Sequence, residues 1–312
     1  MSLPIRFSGS IPAIVTPLTQ DEVDFETAAS LASRVASHAK AVVVAGSTGE
    51  GTSLSSSERN ELYRITKTAV GAKVSVIAGV SAAATRDAVQ AAVDAEAAGA
   101  NAILMSTPYY AKPGEDGIIL HFQAVAKATS IPIILYNIPS RTGCNLSKSS
   151  IIDLWNCGAI SGLKEAAQNA RRINEIASST DPSFAIFCGD DVTSFEMLSA
   201  GACGTISVVA NLLPELCATA HKHFQDGETS VAEAIFARLK PLVASLGEAP
   251  NPTGVKYAMY LLGLCQKECR LPLTEVSPDI AHNISKSLKS VQNKNLQQAL
   301  DGASQCKPMI YL

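Results

Sequence analysis

The chain has 312 residues, of which 47% are hydrophobic and 17% are charged. An apolar share of this size supplies a buried core and excludes intrinsic disorder. The 25 basic and 28 acidic side chains give a formal charge of −3, which provides neither the basic field that binds nucleic acid nor a cationic face for a membrane. Residues 1–10 contain no basic segment followed by an apolar run, so we expect no signal peptide and a cytoplasmic location.

Short apolar segments alternate with helix patterns along residues 1–226. The apolar segments are rich in β-branched residues, which is typical of strands that are covered on both faces of a parallel sheet. A helix pattern follows each segment, and Ser55 with Glu58 predicts a capping box at the start of one helix. The eight predicted strands are Ile11 to Thr16, Ala41 to Gly46, Lys73 to Gly79, Ala102 to Thr107, Pro132 to Asn137, Ala159 to Lys164, Phe184 to Gly189 and Gly204 to Val208.

Eight strand–helix units predict a closed (β/α)8 TIM barrel, which we assign to residues 1–226. The alternative is an open doubly wound sheet, which the lack of a GxGxxG dinucleotide fingerprint weakens. Helix patterns without strands continue over residues 227–292 and predict a C-terminal helical extension. Residues 293–312 are rich in Asn, Gln and Lys, and we expect them to be a poorly ordered tail.

Lys164 is the lysine that closes an apolar strand, at the end of the predicted barrel where active sites lie. A lysine in a partly desolvated barrel mouth loses its preference for the charged form. A neutral amine is the nucleophile needed for a Schiff base with a carbonyl substrate. The alternative is a structural salt bridge with Glu165 or Asp190, and the position alone does not decide between the two roles.

Residues 46–51 follow the second predicted strand and combine three glycines with the hydroxyls of Ser47 and Thr48. The segment lacks the Gly-Lys-Ser/Thr ending of a P-loop, so nucleotide binding is not indicated. Hydroxyls and free backbone N–H groups at a strand end suit a small carboxylate. A tight strand-to-helix turn without a ligand explains the same segment equally well.

Two further strand ends carry polar side chains. Tyr136 and Tyr110 are either packing residues or, together with Ser47, a chain of hydroxyls that moves protons. Arg141 either presents a bidentate fork to a carboxylate or lies on the surface. The histidines lie away from the strand ends, so we expect no metal site despite the adjacent Asp190 and Asp191.

These segments together resemble the family of dihydrodipicolinate synthases and N-acetylneuraminate lyases, which are class I aldolase-type barrels. The resemblance extends from about Gly9 to Ser290. Its motifs are GSTGE at 46–50, TPYY at 107–110, YNIPSRTG at 136–143, GLKE at 162–165, GDD at 189–191, ISV at 206–208 and NPTGVK at 251–256.

The resemblance implies a covalent mechanism without a cofactor, in which Lys164 forms an imine with pyruvate. It places the pyruvate carboxylate against Thr48 and the backbone near Ser47 and Ile206, and it makes Gly189 a further substrate-binding residue.

The resemblance also implies that Tyr136 moves protons at the imine through Ser47 and Tyr110. Family members are commonly dimers of dimers, so it implies a homotetramer in which a neighbouring subunit provides Tyr110. Arg141 matches the arginine that holds the carboxylate of L-aspartate 4-semialdehyde in the condensing branch of the family. The alternatives are a lyase that cleaves a 2-keto-3-deoxy sugar acid or N-acetylneuraminate, and a barrel that binds carboxylates without turnover.

The resemblance implies a lysine feedback site, and at its positions in this chain only the tyrosine and an acidic group persist. An arginine among them places positive charge where the inhibitor's cationic groups would bind, which is unfavourable without a compensating anion. We therefore expect weak or absent inhibition by lysine. The matching positions are Gly51, Ser56, Arg59, Ala83, Asp87 and Tyr109.

Overall fold

The structure is a computed structural model that describes residues 4–5 and 7–292. In chain order, the strands are β1 Gly9–Pro12, β2 Leu18–Thr19, β3 Glu22–Val23, β4 Ala41–Val44, β5 Ser75–Gly79, β6 Ala102–Ser106, β7 Ile133–Asn137, β8 Gly162–Glu165, β9 Ala185–Cys188 and β10 Gly204–Ser207. The helices are α1 Phe25–Ala36, α2 Ser56–Val70, α3 Thr85–Ala97, α4 Glu115–Ala126, α5 Pro139–Thr142, α6 Lys148–Asn156, α7 Ala170–Ala177, α8 Ser194–Ser199, α9 Pro214–Gln225, α10 Thr229–Leu246, α11 Thr253–Leu261 and α12 Pro278–Gln292.

Eight of the strands form one parallel sheet in the order β1-β10-β9-β8-β7-β6-β5-β4. A parallel bridge between Ala13 and Val43 closes the seam between β1 and β4, where the Ile14 N–H donates to the Val43 carbonyl at 2.9 Å. The prediction of a (β/α)8 barrel is therefore confirmed, and the open doubly wound sheet is excluded.

The first strand and the segment after it differ in detail from the prediction. Ladder pairing with β10 covers residues 9–12, and from Ala13 onward the chain turns toward β4 through the bridge to Val43. A short antiparallel hairpin of β2 and β3 then follows, which the sequence pattern did not predict. Its turn residues Gln20 and Asp21 have φ angles of 54° and 66°, the positive values that a tight hairpin turn requires.

Side chains alternate between the inside of the barrel and the surrounding helices, as the two-residue period of a strand requires. On β7, Ile134 and Tyr136 pack inside the barrel, whereas Leu135 packs against the outer helices. On β8, Leu163 belongs to the outer layer. Lys164, the next residue, therefore points into the barrel.

Helices α10, α11 and α12 follow the barrel and form the predicted C-terminal helical extension. The connection between α11 and α12 is bound to the barrel through Arg270, whose guanidinium donates to both carboxylate oxygens of Glu58. Glu58 also closes the predicted capping box of α2 with Ser55. The predicted tail, residues 293–312, lies outside the described residues.

Acid is expected to weaken the contact between Glu58 and Arg270. Hydrogen bonds from Arg270 are the main reason why the pKa of Glu58 falls from its ordinary value of 4.5 to about 2. A carboxyl with a lower pKa in the folded chain stabilises the fold above its unfolded pKa, and this contribution is lost as the pH falls toward the folded pKa. We expect Glu58 to contribute on the order of 3 kcal/mol of stability that disappears between about pH 4.5 and pH 2.

Urea unfolding at a series of pH values measures this contribution. The difference in free energy of unfolding between the wild type and Glu58→Gln shrinks as the pH falls through that range. Glu61→Gln is the matched control, because the Glu61 carboxylate is 46% exposed in its ion pair with Arg64 and exposed pairs contribute little. A constant difference between wild type and Glu58→Gln at all pH values would contradict the prediction.

Candidate active site

Lys164 and Tyr136 lie side by side inside the barrel, near the carboxyl ends of their strands. They are register partners on β8 and β7, and the Lys164 Nζ lies 4.0 Å from the centroid of the Tyr136 ring. Each residue is 7% exposed. At this distance, the ammonium form of a lysine is attracted to the aromatic face by the ring's quadrupole.

The salt bridges suggested for Lys164 do not form among residues 4–5 and 7–292. Glu165 points outward from the barrel, where its carboxylate accepts from Arg172 Nε at 2.9 Å and from the Asn137 amide at 2.8 Å. Asp190 instead accepts from the Val192 N–H at 2.9 Å at the start of the next turn. The Lys164 amine is therefore available to a substrate.

The turn at residues 46–51 is compact because of its glycines. A Cβ on Gly51 would lie 1.8 Å from the Ala45 carbonyl oxygen, so no larger residue fits there. Thr48 is buried and Ser47 is exposed. Within the described part of the chain, the backbone N–H groups of Ser47 and Thr48 have no acceptor. Two free N–H groups and two hydroxyls suit a small carboxylate.

A cavity of about 500 Å³ opens beside this turn. Ser47 and Arg141 line it, together with Ser106 and Asn251. Arg141 is exposed, and one of its Nη atoms donates to the Asn251 carbonyl at 3.3 Å. Its guanidinium is thus directed along the cavity wall, where a second carboxylate can reach it.

The predicted chain of hydroxyls is not assembled within one chain. Tyr110 has 94% of its surface exposed and a φ of 70°. Tyr109, its neighbour, lines the cavity instead. Among the described residues, no hydrogen bond joins Ser47, Tyr136 and Tyr110.

Of the two remaining predicted site residues, Gly189 directly follows β9 and Ile206 lies on β10. The Gly189 N–H donates to the Glu165 carbonyl at 2.8 Å. A Cβ on Gly189 would lie 2.9 Å from the Ala166 Cβ, so β8 and β9 approach too closely there for a side chain. Ile206 is 1% exposed and packs in the interior cluster that contains Tyr136.

Asp191 stabilises the loop after Ile206. Its Oδ2 accepts from the N–H groups of Val208 and Val209 at 2.7 and 2.9 Å. Burial raises the pKa of Asp191. Within residues 4–5 and 7–292, no group of three or more His, Cys, Asp or Glu side chains is arranged to hold a metal ion.

The structure adds residues from the C-terminal extension that sequence reasoning did not assign. The Lys256 Nζ donates to Glu50 Oε1 at 2.5 Å and to the Glu268 carbonyl at 2.6 Å, and Lys256 is completely buried. The other oxygen of Glu50 accepts from the Arg270 N–H at 2.9 Å. The Asn251 amide donates to Thr48 Oγ1 at 3.0 Å. Asn251 and Lys256 belong to the NPTGVK motif. The signal in the sequence that could have identified Lys256 is a lysine inside an apolar helix.

Four of the six positions matched to the lysine feedback site lie at the wall of the same cavity. Gly51, Arg59, Asp87 and Tyr109 line it. The Arg59 guanidinium donates to the carbonyls of Gly51 and Leu54 at 3.2 and 2.6 Å. These contacts hold its positive charge in place at the cavity wall.

A second cavity, of about 470 Å³, lies at the amino ends of the strands and is lined by Phe7, Asp181 and Cys203, among others. This face is the stability face of a TIM barrel rather than the catalytic one. Among the helices described, none is both long and apolar enough to cross a membrane.

Residues 6–291 match the model of the dihydrodipicolinate synthetase family. A curated 4-hydroxy-tetrahydrodipicolinate synthase of Archaeoglobus fulgidus is 39% identical over 287 residues, which cover 92% of this chain and 99% of that protein. The lysine-bound structure of DHDPS from Cyanidioschyzon merolae has a TM-score of 0.89 at 37% identity and covers 91% of this chain and 98% of its own. The chloride-inhibited dihydrodipicolinate synthase of Acinetobacter baumannii in complex with pyruvate has a TM-score of 0.89 at 32% identity, covering 92% and 99% of the two chains. The chain therefore belongs to the dihydrodipicolinate synthetase family.

Proposed function

We propose that this chain condenses pyruvate with L-aspartate 4-semialdehyde to give 4-hydroxy-tetrahydrodipicolinate, the committed step of diaminopimelate and L-lysine biosynthesis. The observation that carries the proposal is the Lys164 amine inside the barrel, which lies 4.0 Å from the Tyr136 ring and forms no salt bridge among the described residues. The curated relatives with this activity align over almost the whole chain, which favours the condensation over sugar-acid cleavage.

In the proposed reaction, the Lys164 Nζ attacks the ketone carbon of pyruvate, and water leaves to give a protonated imine. Loss of a proton from the pyruvate methyl group gives an enamine, because the imine nitrogen takes up the electron pair. The enamine carbon attacks the aldehyde carbon of the second substrate. The amino group of that substrate then attacks the imine carbon and displaces Lys164, which closes the ring.

We propose that two sites hold the substrates by their carboxylates. The free N–H groups of Ser47 and Thr48, with Ile206 and Gly189 around them, receive pyruvate. Arg141 receives the carboxylate of the aldehyde, since a guanidinium matches a carboxylate in a bidentate pair.

We propose that Tyr136 moves protons at the imine, with Ser47 and a tyrosine from a second subunit. The exposure of Tyr110 supports this arrangement, because a side chain that is 94% exposed is accessible to a second subunit. The enzyme then acts as a homotetramer in the cytoplasm and requires no cofactor.

Borohydride reduction in the presence of pyruvate, followed by peptide mass mapping, tests the proposal. A pyruvate-derived adduct on Lys164 is expected, as is turnover of pyruvate with L-aspartate 4-semialdehyde. A missing adduct excludes both Schiff-base functions. Cleavage of sugar acids without the condensation assigns the chain to the lyases, and an adduct without any turnover assigns it to carboxylate-binding barrels.

Arg141→Ala is expected to damage use of the aldehyde selectively. Loss of a charged hydrogen-bonding partner raises the KM for L-aspartate 4-semialdehyde by roughly ten- to a hundredfold, whereas the pyruvate dependence of adduct formation changes little. Arg171→Ala is the control, because the Arg171 side chain is 88% exposed in an ion pair with Glu175. An equal weakening of the binding of both substrates would mean that Arg141 acts on the whole site.

Lysine is expected to inhibit the enzyme weakly or not at all. The fixed guanidinium of Arg59 repels the cationic groups of lysine in the cavity wall. Initial rates measured over a lysine series at a pyruvate concentration near its KM check this expectation. Potent inhibition at micromolar lysine would overturn it.

A further inference from the structure

Asn251 joins the two proposed substrate positions, although it lies in the C-terminal extension. Its side-chain amide donates to Thr48 Oγ1 at 3.0 Å, and its backbone carbonyl accepts from Arg141 at 3.3 Å. We propose that Asn251 is a positioning residue for pyruvate: its amide N–H fixes the direction in which the Thr48 hydroxyl donates its proton. This inference rests on the proposed function of the site.

A hydroxyl has a single proton to donate, so an existing hydrogen bond decides what that proton can bind. Thr48 Oγ1 has one O–H donor and two lone pairs. Because the Asn251 amide donates to one lone pair, the Thr48 proton cannot be directed at Asn251 and is left for a ligand. A hydroxyl that accepts one hydrogen bond also becomes a stronger donor in the next one. Thr48 is 4% exposed, so a hydrogen bond from it to a carboxylate is little weakened by water.

The backbone of the loop is held by other contacts, so the Asn251 side chain is not needed to fold it. The Thr253 N–H and hydroxyl both donate to the Pro250 carbonyl, at 2.8 and 2.7 Å. The Lys256 N–H donates to the Pro252 carbonyl at 3.0 Å. In the part of the chain that is described, the Asn251 side chain makes one hydrogen bond, the one to Thr48. Its removal therefore affects Thr48 before it affects the loop.

The Arg141 contact uses the backbone of Asn251, which every side-chain substitution retains. A change at Asn251 is therefore expected to alter pyruvate binding while the KM for the aldehyde stays within about twofold. This split separates a positioning role from a general loosening of the site, which would raise the half-saturating concentrations of both substrates.

Two substitutions at Asn251 distinguish hydrogen-bond direction from packing. Asn251→Ala removes the donor and is expected to raise the half-saturating pyruvate concentration by roughly tenfold. Asn251→Asp keeps the size of the side chain but accepts the Thr48 proton and adds a negative charge, so it raises that concentration by roughly a hundredfold. A packing role predicts the opposite order, since aspartate fills the space of asparagine and alanine does not.

The readout is the fraction of Lys164 trapped by borohydride across a pyruvate series, with steady-state KM values for both substrates. Asn283→Ala is the matched control, because Asn283 also lies in the extension and donates to Glu248 at 2.9 Å on the surface. In a Thr48→Val background, Asn251→Ala is expected to have no further effect, because the group through which it acts is gone.

The proposal is overturned if Asn251→Asp binds pyruvate as tightly as the wild type, or if Asn251→Ala keeps its full effect in the Thr48→Val background. These outcomes differ from a failure of the proposed function, in which the wild type itself forms no pyruvate adduct on Lys164.

Discussion

Lys164→Met is expected to lower kcat by about a thousandfold or more while the protein stays folded. Methionine has nearly the length of lysine but no nucleophilic amine. The site is mostly buried, with Lys164 7% exposed, so an apolar side chain is accommodated without a desolvation cost. The measurements are the condensation rate, borohydride trapping with pyruvate and thermal unfolding, and the unfolding temperature is expected to stay the same or rise.

Lys164→Arg separates the nucleophile from its charge. Arginine keeps a cation near the Tyr136 ring but does not form the imine, so it is expected to be as inactive as methionine. Lys127→Met, at the exposed end of α4, controls for the loss of a positive charge and is expected to leave the rate unchanged. Substantial turnover by Lys164→Arg would mean that the charge of Lys164, rather than a covalent bond, supports catalysis.

Lys256→Met is expected to lower the free energy of unfolding by about 3 to 5 kcal/mol. The Lys256 and Glu50 side chains are 0% and 1% exposed, so the substitution leaves a buried carboxylate without its counter-charge. The Arg270 N–H remains as a partner of Glu50 but carries no charge. Chemical denaturation measures the loss of stability, and the displaced Glu50 is expected to weaken pyruvate trapping through the turn at residues 46–51.

The double variant Glu50→Gln/Lys256→Met is the decisive comparison. It removes both charges, and a buried ion pair replaced by neutral groups costs far less than one that is broken. It is therefore expected to be more stable than Lys256→Met alone. Lys267→Met is the surface control, because the Lys267 side chain is 38% exposed in its ion pair with Glu275. This substitution is expected to change the free energy of unfolding by no more than about 1 kcal/mol. A double variant less stable than Lys256→Met would contradict the role of buried charge.

Local patterns predicted the barrel because each strand carries its own signal. The run of β-branched residues from Ala41 and the continuous apolar run at the start of β7 depend on residues close together in sequence. The same is true of Lys164, whose position at the end of an apolar strand is visible without knowledge of its neighbours. The structure placed this lysine next to Tyr136, as expected for residues at the ends of adjacent parallel strands.

Contacts between distant segments were not predictable in this way. The hydrogen bond from Asn251 to Thr48 spans 203 residues, and no periodic pattern relates the two positions. The exposure of Tyr110 was also not predictable from local sequence. The residues around a tyrosine at a strand end are the same whether its side chain faces its own site or a neighbouring chain. The hairpin of β2 and β3 was missed because Gln20 and Asp21 adopt positive φ angles without a glycine.

The anchoring of Glu50 by the C-terminal extension has a consequence for synthesis of the chain. The partners of Glu50 lie 206 and 220 residues later in sequence. While a ribosome is still translating the last barrel strands, Lys256 has not yet been synthesised and cannot pair with the Glu50 carboxylate. Burying this carboxylate without its cation is costly. The turn at residues 46–51, where we propose that pyruvate binds, is therefore expected to reach its final shape only after the extension has left the ribosome.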